Sequence, residues 1–237
     1  MNQPQIRDFQ GKHIHMIGIG GSSMSGLAEL LVKEGYHVSG SDRSNGYALE
    51  KLRKLGVTVH VGHAPENVHG ADLVVYTAAI LPDNPERVEM ERLGLPNMER
   101  AELLGQLMEG YAQAVGVCGT HGKTTTTSML SQILVECGKD PTVHIGGQLD
   151  AIGGSTRIGH GDTFLAEACE FKASFHHMHP TMAVVTNIEE DHLDFYKDID
   201  DIQASFRRFL GLLPPWGMAI GNGDDPRVKA ELDRLTC

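Results

Sequence analysis

The chain has 237 residues, 41% apolar and 22% charged, with a formal net charge of −11; that length suits two modest domains whose cores need no disulfide staples. The acidic balance excludes a nucleic-acid partner, because phosphate-backbone binding needs clustered Lys and Arg that are absent here. No apolar run approaches the length that spans a bilayer, and the opening MNQPQIRDFQGK lacks the apolar core of a signal peptide, so a cytoplasmic protein without a membrane partner is expected.

In chain order, short β-rich runs alternate with helical stretches: strands at Ile14–Ile19, His37–Ser41, Val57–Val61 and Leu73–Tyr76, and helices at Met24–Lys33, Tyr47–Leu55 and Pro85–Leu93. This alternation predicts a parallel sheet with helices on both faces and right-handed crossovers. The first turn reads GIGGSSMSG, Gly18 to Gly26. Gly18 and Gly20 fit the start of G-x-G-x-x-G, Ser23 stands where the third glycine would, and Asp42 ends the second strand. Alone, this pattern admits a dinucleotide, another phosphate ligand, or simply close packing of helix on strand. A helix over Ala101–Met108 then gives way to Gly110, which divides the chain into domains 1–108 and 109–237.

The apolar Ala112–Cys118 feeds into GTHGKTTTT, Gly119 to Thr127, and a helical Ser128–Val135 leaves it. Strand, glycine turn and helix start together aim backbone N–H groups and the positive end of a helix dipole at one small volume, which suits a polyphosphate. Lys123 can reach terminal phosphates, and the Thr124 hydroxyl can bind the Mg²⁺ that travels with them. The usual G-x-x-x-x-G-K-[ST] would want glycine at Val117, so the working pattern is the shorter G-x-x-G-K-T. Four consecutive threonines are mediocre helix formers, so their hydroxyls have a purpose at this helix start. Further strands are expected at Pro141–Ile145, Thr163–Ala168, Met182–Ile188 and Gly217–Ile220, with helices at Ile202–Leu212 and Pro226–Leu235.

Two polar clusters follow strands of this second half. EACE carries Glu167 and Glu170, and TNIEEDH carries Asn187, Glu189, Glu190, Asp191 and His192. A carboxylate beside a phosphate loop can ligate Mg²⁺, and a histidine there can hold a second cation or contact a phosphate. Glu170, Glu189 and Glu190 equally fit helix caps or solvated loop residues. HHMH, with His176, His177 and His179, lacks partners at ligand spacing and is read as no metal site. Of the four cysteines, Cys118, Cys137, Cys169 and Cys237, none shows metal or disulfide spacing; Cys118 and Cys169 are expected to pack rather than react.

Together the motifs resemble the Mur ligases of bacterial cell-wall synthesis, whose central domains carry a GT-x-GKT-[ST] phosphate loop. The resemblance runs through GIGGSSMSGLAELL, GSD at Gly40–Asp42, TAAI at Thr77–Ile80, DNPE at Asp83–Glu86, RAELL at Arg100–Leu104 and TNIEEDHLD at Thr186–Asp194. It implies a Rossmann-like parallel-sheet N-terminal domain followed by a partial P-loop ATPase-type α/β domain. It also implies ATP-dependent amide formation, in which UDP-N-acetylmuramate is activated as an acyl phosphate and L-alanine displaces the phosphate. By resemblance, Gly119, Thr120, His121, Gly122, Lys123, Thr124, Thr125 and Asn187 would bind ATP. Lys123 would stabilise the transferring phosphoryl group, Thr124 and Glu167 would hold one Mg²⁺, and His192 a second cation. Gly18, Gly20, Gly21, Ser22 and Ser23 would face the UDP diphosphate, Asp42 the uridine, and Thr77 and Ala78 the rest of the sugar nucleotide.

Two departures qualify the match. Many relatives have EADES where this chain has EACEF, so Cys169 and Phe171 replace polar residues. The family also has a third, C-terminal domain, so the sequence reads as a fragment of such an enzyme, and it specifies no oligomeric state. A murein-peptide recycling ligase is the alternative within the family, although its EADEY and GICG-like opening are lacking. A nucleotide-binding module without turnover is the alternative outside catalysis.

Overall fold

In this computed structural model residues 3–149 and 152–236 are described, so Cys237 lies outside the described residues. The chain divides into two compact units, Met1–Leu104 and Gly105–Cys237.

The first unit is built on β1 (His13–Ile17), α1 (Ser22–Lys33), β2 (His37–Asp42), α2 (Tyr47–Lys54), β3 (Thr58–Val61), β4 (Leu73–Tyr76), α3 (Pro85–Leu93), β5 (Asn97–Glu99) and the start of α4 (Arg100–Met108). Its five strands are all parallel, in the order β3-β2-β1-β4-β5. The chain lays β2 and β3 to one side of β1 and then crosses back to place β4 on the other. The loops after β1 and β4 therefore part at the carboxyl edge, where open α/β sheets bind ligands. Strands β1 and β4 are buried along nearly their whole length, as central parallel strands must be. Helix α3 has both boundary signals, with Asn84 accepting from the amides of Glu86 and Arg87, and Gly94 in the left-handed region closing the end.

The second unit contains β6 (Gln113–Cys118), α5 (Lys123–Glu136), β7 (Thr142–Leu149), β8 (Gly154–Arg157), β9 (Thr163–Glu167), β10 (Met182–Val185), α6 (Ile199–Leu210), β11 (Met218–Gly221) and α7 (Pro226–Leu232). The order is β11-β10-β6-β9-β7-β8, with β8 antiparallel to β7 and the other pairs parallel. Val115, Val117, Val143, Ile145 and Leu165 form the core on this sheet, and Leu130 and Leu134 of α5 pack against them. Here β6 is the switch strand, flanked by β9 and β10, so three chain exits lie side by side at one edge. α6 begins three residues before the expected Ile202 because the Asp198 carboxylate caps the amide of Asp201 at 2.9 Å. β5 and β8 were not expected: NME is too short and GSTR too polar to show a strand period. Among the described residues no helix is long and apolar enough to cross a membrane.

Candidate functional site

The turn after β6 is shaped by glycine. Gly119 has φ +138°, and a Cβ there would collide with the Thr186 hydroxyl; Gly122, at φ +83°, is the N-cap of α5 and offers no side chain to its first amides. The first helical bond runs from Thr126 N to Gly122 O, so the amides of Lys123, Thr124 and Thr125 have no carbonyl partner within the helix. The loop after β10 holds this turn in place. Thr120 N donates to Asn187 O, the Thr120 hydroxyl accepts from Glu189 N at 2.8 Å, and the Asn187 amide exchanges two bonds with the His121 backbone at 2.8 and 3.1 Å. Asn187 thus spends its amide on the loop itself. Gly119→Ala should cost about 1–3 kcal/mol, since the left-handed backbone and the Thr186 contact both oppose a side chain. An unchanged urea-unfolding midpoint would contradict this account of the turn.

Lys123 folds back over its own turn. Its ammonium donates to Gly119 O at 2.6 Å, Thr120 O at 3.0 Å and Glu170 Oε1 at 2.8 Å, which uses all three protons. Glu170 is only 2% exposed, and its second oxygen, Oε2, is buried without a partner. Burial excludes the solvated-loop reading of this residue. Its backbone carbonyl accepts from the Tyr196 hydroxyl at 2.5 Å, while Phe175 on the following turn stacks on Phe209 of α6. His192 Nε2 lies 3.8 Å from Glu170 Oε1 and the same distance from Asp191 Oδ2. His192 itself has φ +51°, an uncommon conformation for a non-glycine residue and one that clusters at functional sites. Phe171 packs its ring 4.7 Å from the His192 imidazole.

On the other flank, Glu167 at the end of β9 accepts a hydrogen bond from the Thr124 side chain and one from the Gly146 amide. Its Oε1 is buried and unpartnered. Burial pushes its carboxyl above the ordinary value, and the nearby Lys123 charge only partly offsets this. Orphaned carboxylate oxygens on Glu167 and Glu170, beside a threonine hydroxyl and an imidazole, make a hard oxygen and nitrogen donor set suited to divalent cations such as Mg²⁺. Glu170, Asp191 and His192 can bring one donor atom each within 4.8 Å of one another. Glu170 is one of three acids, with Glu189 and Glu190, that sequence reasoning left between two readings; the second acid of EACE was its signal.

The histidine tract is structural. His176 bonds Ser205 O at 2.9 Å and stacks on Phe175, and His179 pairs with Glu109. Cys118 is fully buried and burial pushes its thiol far up, so it is no nucleophile.

In the first unit a cavity of about 420 Å³ opens at the switch point, lined by Gly18, Gly21, Ser22, Ser23, Asp42 and Thr77, together with Arg43, His63 and Arg100. Helix α1 starts there from Gly21 with no side-chain cap. Gly20 and Ala78 do not line the cavity. Gly20 instead donates its amide to Asp42 Oδ2 at 2.9 Å, and a Cβ at Gly20 would meet that oxygen at 2.8 Å. The glycine thus allows the carboxylate to brace the turn. Sequence reasoning missed Arg43, His63 and Arg100; only Arg100 lay within a quoted motif.

Two α/β units, each with a glycine turn running from an inner strand into a helix, define the architectural class. Residues 13–112 match the model of the Mur ligase family, catalytic domain, and residues 117–237 match the Mur ligase middle domain. The chain belongs to the Mur ligase family. It is 53% identical over 226 residues to a UDP-N-acetylmuramate–L-alanine ligase of Acetivibrio thermocellus, covering 95% of this chain and 48% of the relative. It is 51% identical over 232 residues to the protein of that name from Clostridium beijerinckii, covering 98% and 50%. Among solved structures it resembles the UDP-N-acetylmuramate:L-alanyl-gamma-D-glutamyl-meso-diaminopimelate ligase of Neisseria meningitides, with TM-score 0.86, 32% identity and coverage of 94% of this chain and 75% of that one. The UDP-N-acetylmuramate-alanine ligase of Thermotoga maritima gives TM-score 0.82 and 30% identity, covering 93% and 51%. The chain spans about half the length of the curated relatives it matches.

Proposed function

We propose that this chain supplies the UDP-sugar-binding and ATP-binding parts of a cytoplasmic ligase that joins L-alanine to UDP-N-acetylmuramate during peptidoglycan precursor synthesis. The observation that carries the reading is the meeting of Lys123, the Thr124–Glu167 pair and the Glu170–His192 pair around the uncapped start of α5. In this reading, domain 1–108 takes the UDP-sugar in the cavity beside Gly18, Gly21, Ser22, Ser23, Asp42 and Thr77. Domain 109–237 takes ATP on the amides of Lys123, Thr124 and Thr125, with Asn187 keeping the turn in shape rather than touching the ligand.

The chemistry follows from these groups. The muramate carboxylate attacks the γ-phosphorus, the bond to the β-phosphate oxygen breaks and ADP leaves. The L-alanine amine then attacks the resulting acyl phosphate at carbon, expelling phosphate and losing a proton. Lys123 exchanges its contacts to Gly119 O, Thr120 O and Glu170 for phosphate oxygens and offsets the charge that develops on them. Thr124 and Glu167 would hold one Mg²⁺, and His192 with Glu170 a second cation. Bound there, divalent ions neutralise phosphate charge and orient the transferring group.

The curated relatives at 53% and 51% identity are named for L-alanine, which supports L-alanine as the incoming amine. Calorimetric titration with UDP-N-acetylmuramate and with MgATP, followed by a phosphate-release assay with L-alanine or the tripeptide, tests the assignment. Release that requires L-alanine supports it. Release only with the tripeptide moves the chain to the recycling branch, tight binding of both nucleotides without release makes it a binding module, and no binding of either removes the proposal.

A further inference from the structure

The donors of the Glu170–His192 pair come from two loops. Glu170 follows β9 and His192 follows β10, and Glu170 Oε1 stands 3.8 Å from His192 Nε2. Neither residue lies in a strand or α-helix, so some other contact must fix their separation. Both loops carry backbone that non-glycine residues seldom adopt, with Lys172 at φ +51°, Ala173 at +54° and His192 at +51°. Among the described non-glycine residues only Asp140 shares that region. Such conformations persist where surrounding contacts over-determine them.

Tyr196, which is buried, touches both loops. Its hydroxyl lies 2.5 Å from Glu170 O, which also accepts from Ala173 N at 2.9 Å. On the other side the amides of Phe195 and Tyr196 both donate to His192 O, at 2.8 and 2.9 Å, so Tyr196 closes the turn that His192 opens. The groups behind the phenol set its direction. His176 Nε2 lies 2.9 Å from Ser205 O, and a carbonyl only accepts, so Nε2 carries a hydrogen. It then cannot accept from the Ser205 hydroxyl 3.1 Å away, which is left to donate to the Tyr196 oxygen at 3.0 Å. Tyr196 in turn donates to Glu170 O. A serine of α6 and the first histidine of HHMH thus aim the phenol at the loop that carries the acid.

We propose that Tyr196 is a positioning residue for the second divalent cation, its hydroxyl tying the Glu170 loop to the His192 turn so that both donors reach one ion. This rests on the reading that ATP and two cations gather at the start of α5. In the structure Lys123 also holds Glu170, but through the side chain. Once the ammonium turns to phosphate that hold is gone, and the bond from Tyr196 to the backbone of Glu170 remains. A ligand site left loose by about 1 Å fails to hold its ion, and partners that orient metal ligands typically contribute about 10–100-fold to metal affinity. The Tyr196 ring packs edge-on against Phe195, with centroids 4.9 Å apart, and phenylalanine would keep that contact while removing only the hydroxyl.

The test titrates the chain with Mn²⁺ in the presence of a non-hydrolysable ATP analogue and follows free Mn²⁺ by electron paramagnetic resonance. Wild type should bind two ions, and His192→Ala identifies the second as the one it loses. Tyr196→Phe should weaken that ion about tenfold or more, with the first ion and the analogue bound as before. Electron spin echo should show nitrogen coupling from the His192 imidazole to Mn²⁺ in wild type and lose it in Tyr196→Phe at the same Mn²⁺ concentration. Ser205→Ala removes the hydroxyl that aims the phenol and should weaken the second ion about threefold; it decides the matter if Tyr196→Phe folds poorly. Two ions held as tightly by Tyr196→Phe, or by Ser205→Ala where that variant decides, overturn the inference and leave the cation assignment standing. Equal weakening of both ions and the analogue also overturns it, because the hydroxyl then serves the fold alone. A wild type that binds fewer than two ions overturns the cation assignment and the inference together.

Discussion

Lys123→Ala should lower ATP affinity by about 100-fold and, in the same molecule, destabilise the second unit by about 3 kcal/mol. The two losses have separate causes. Affinity falls because an ammonium that can meet several phosphate oxygens has gone, each such charged hydrogen bond contributing about 1.5–3 kcal/mol. Stability falls because the Glu170 carboxylate, 2% exposed, loses the cation 2.8 Å away and remains an unpaired buried charge. A second substitution separates them. In Lys123→Ala/Glu170→Gln the buried charge is gone, so the urea-unfolding midpoint should return most of the way while ATP binding stays weak. UDP-N-acetylmuramate affinity should hardly change in either variant, because the cavity proposed for it belongs to the other unit. A double variant that recovers nucleotide affinity would remove Lys123 from the phosphate site, and a single variant as stable as the parent would remove Glu170 as its partner.

That pairing marks the limit of what the sequence discloses. The strand and helix alternation of the first unit is readable because buried parallel strands such as LVVY are unbroken apolar runs between turn residues, and Asn84 with Pro85 announces α3. The glycine turn before α5 is readable for a similar reason: Gly119, Gly122 and the helix start at Lys123 follow from glycine, lysine and threonine at fixed spacing. What escapes is set by contacts between residues distant along the chain. The sequence places Glu170 three residues after Glu167, but only the adjacency of β6 and β9 brings it under Lys123, 47 positions away. Asn187 looks like a ligand contact because it follows a strand; its amide is taken up by His121, 66 positions back. His63 and Arg43 belong to no quoted motif, and the switch point between β1 and β4 gives them a cavity to face. Gly20 shows another such contact, since its amide braces Asp42, 22 positions on.

The two acids of EACE have different tasks, and this sets the second large effect. Glu167 is pushed above its ordinary 4.5, first by burial, despite the Thr124 and Gly146 hydrogen bonds and the Lys123 charge. A carboxyl raised on folding contributes stability that is complete below the unfolded value and is lost as pH rises through the folded one. Without metal at neutral pH, Glu167 is therefore a burden on the fold, and Glu167→Gln should raise the melting temperature, the advantage shrinking as pH falls toward 4.5 and vanishing below it. With Mg²⁺ and a non-hydrolysable ATP analogue the order should reverse. The parent gains stability in proportion to RT ln(1 + [L]/Kd), whereas the variant, lacking a carboxylate ligand, should need at least about tenfold more Mg²⁺ for the same gain. Melting temperatures of both proteins, with and without Mg²⁺ and analogue at neutral and acid pH, measure the crossing. A variant less stable than the parent in the absence of metal would show that Glu167 serves the fold, and equal Mg²⁺ requirements would remove it from the cation site. The orphaned Oε1 on Glu167 argues against both outcomes, because a buried carboxylate oxygen with no protein partner is costly to keep unless something outside the chain completes its bonding.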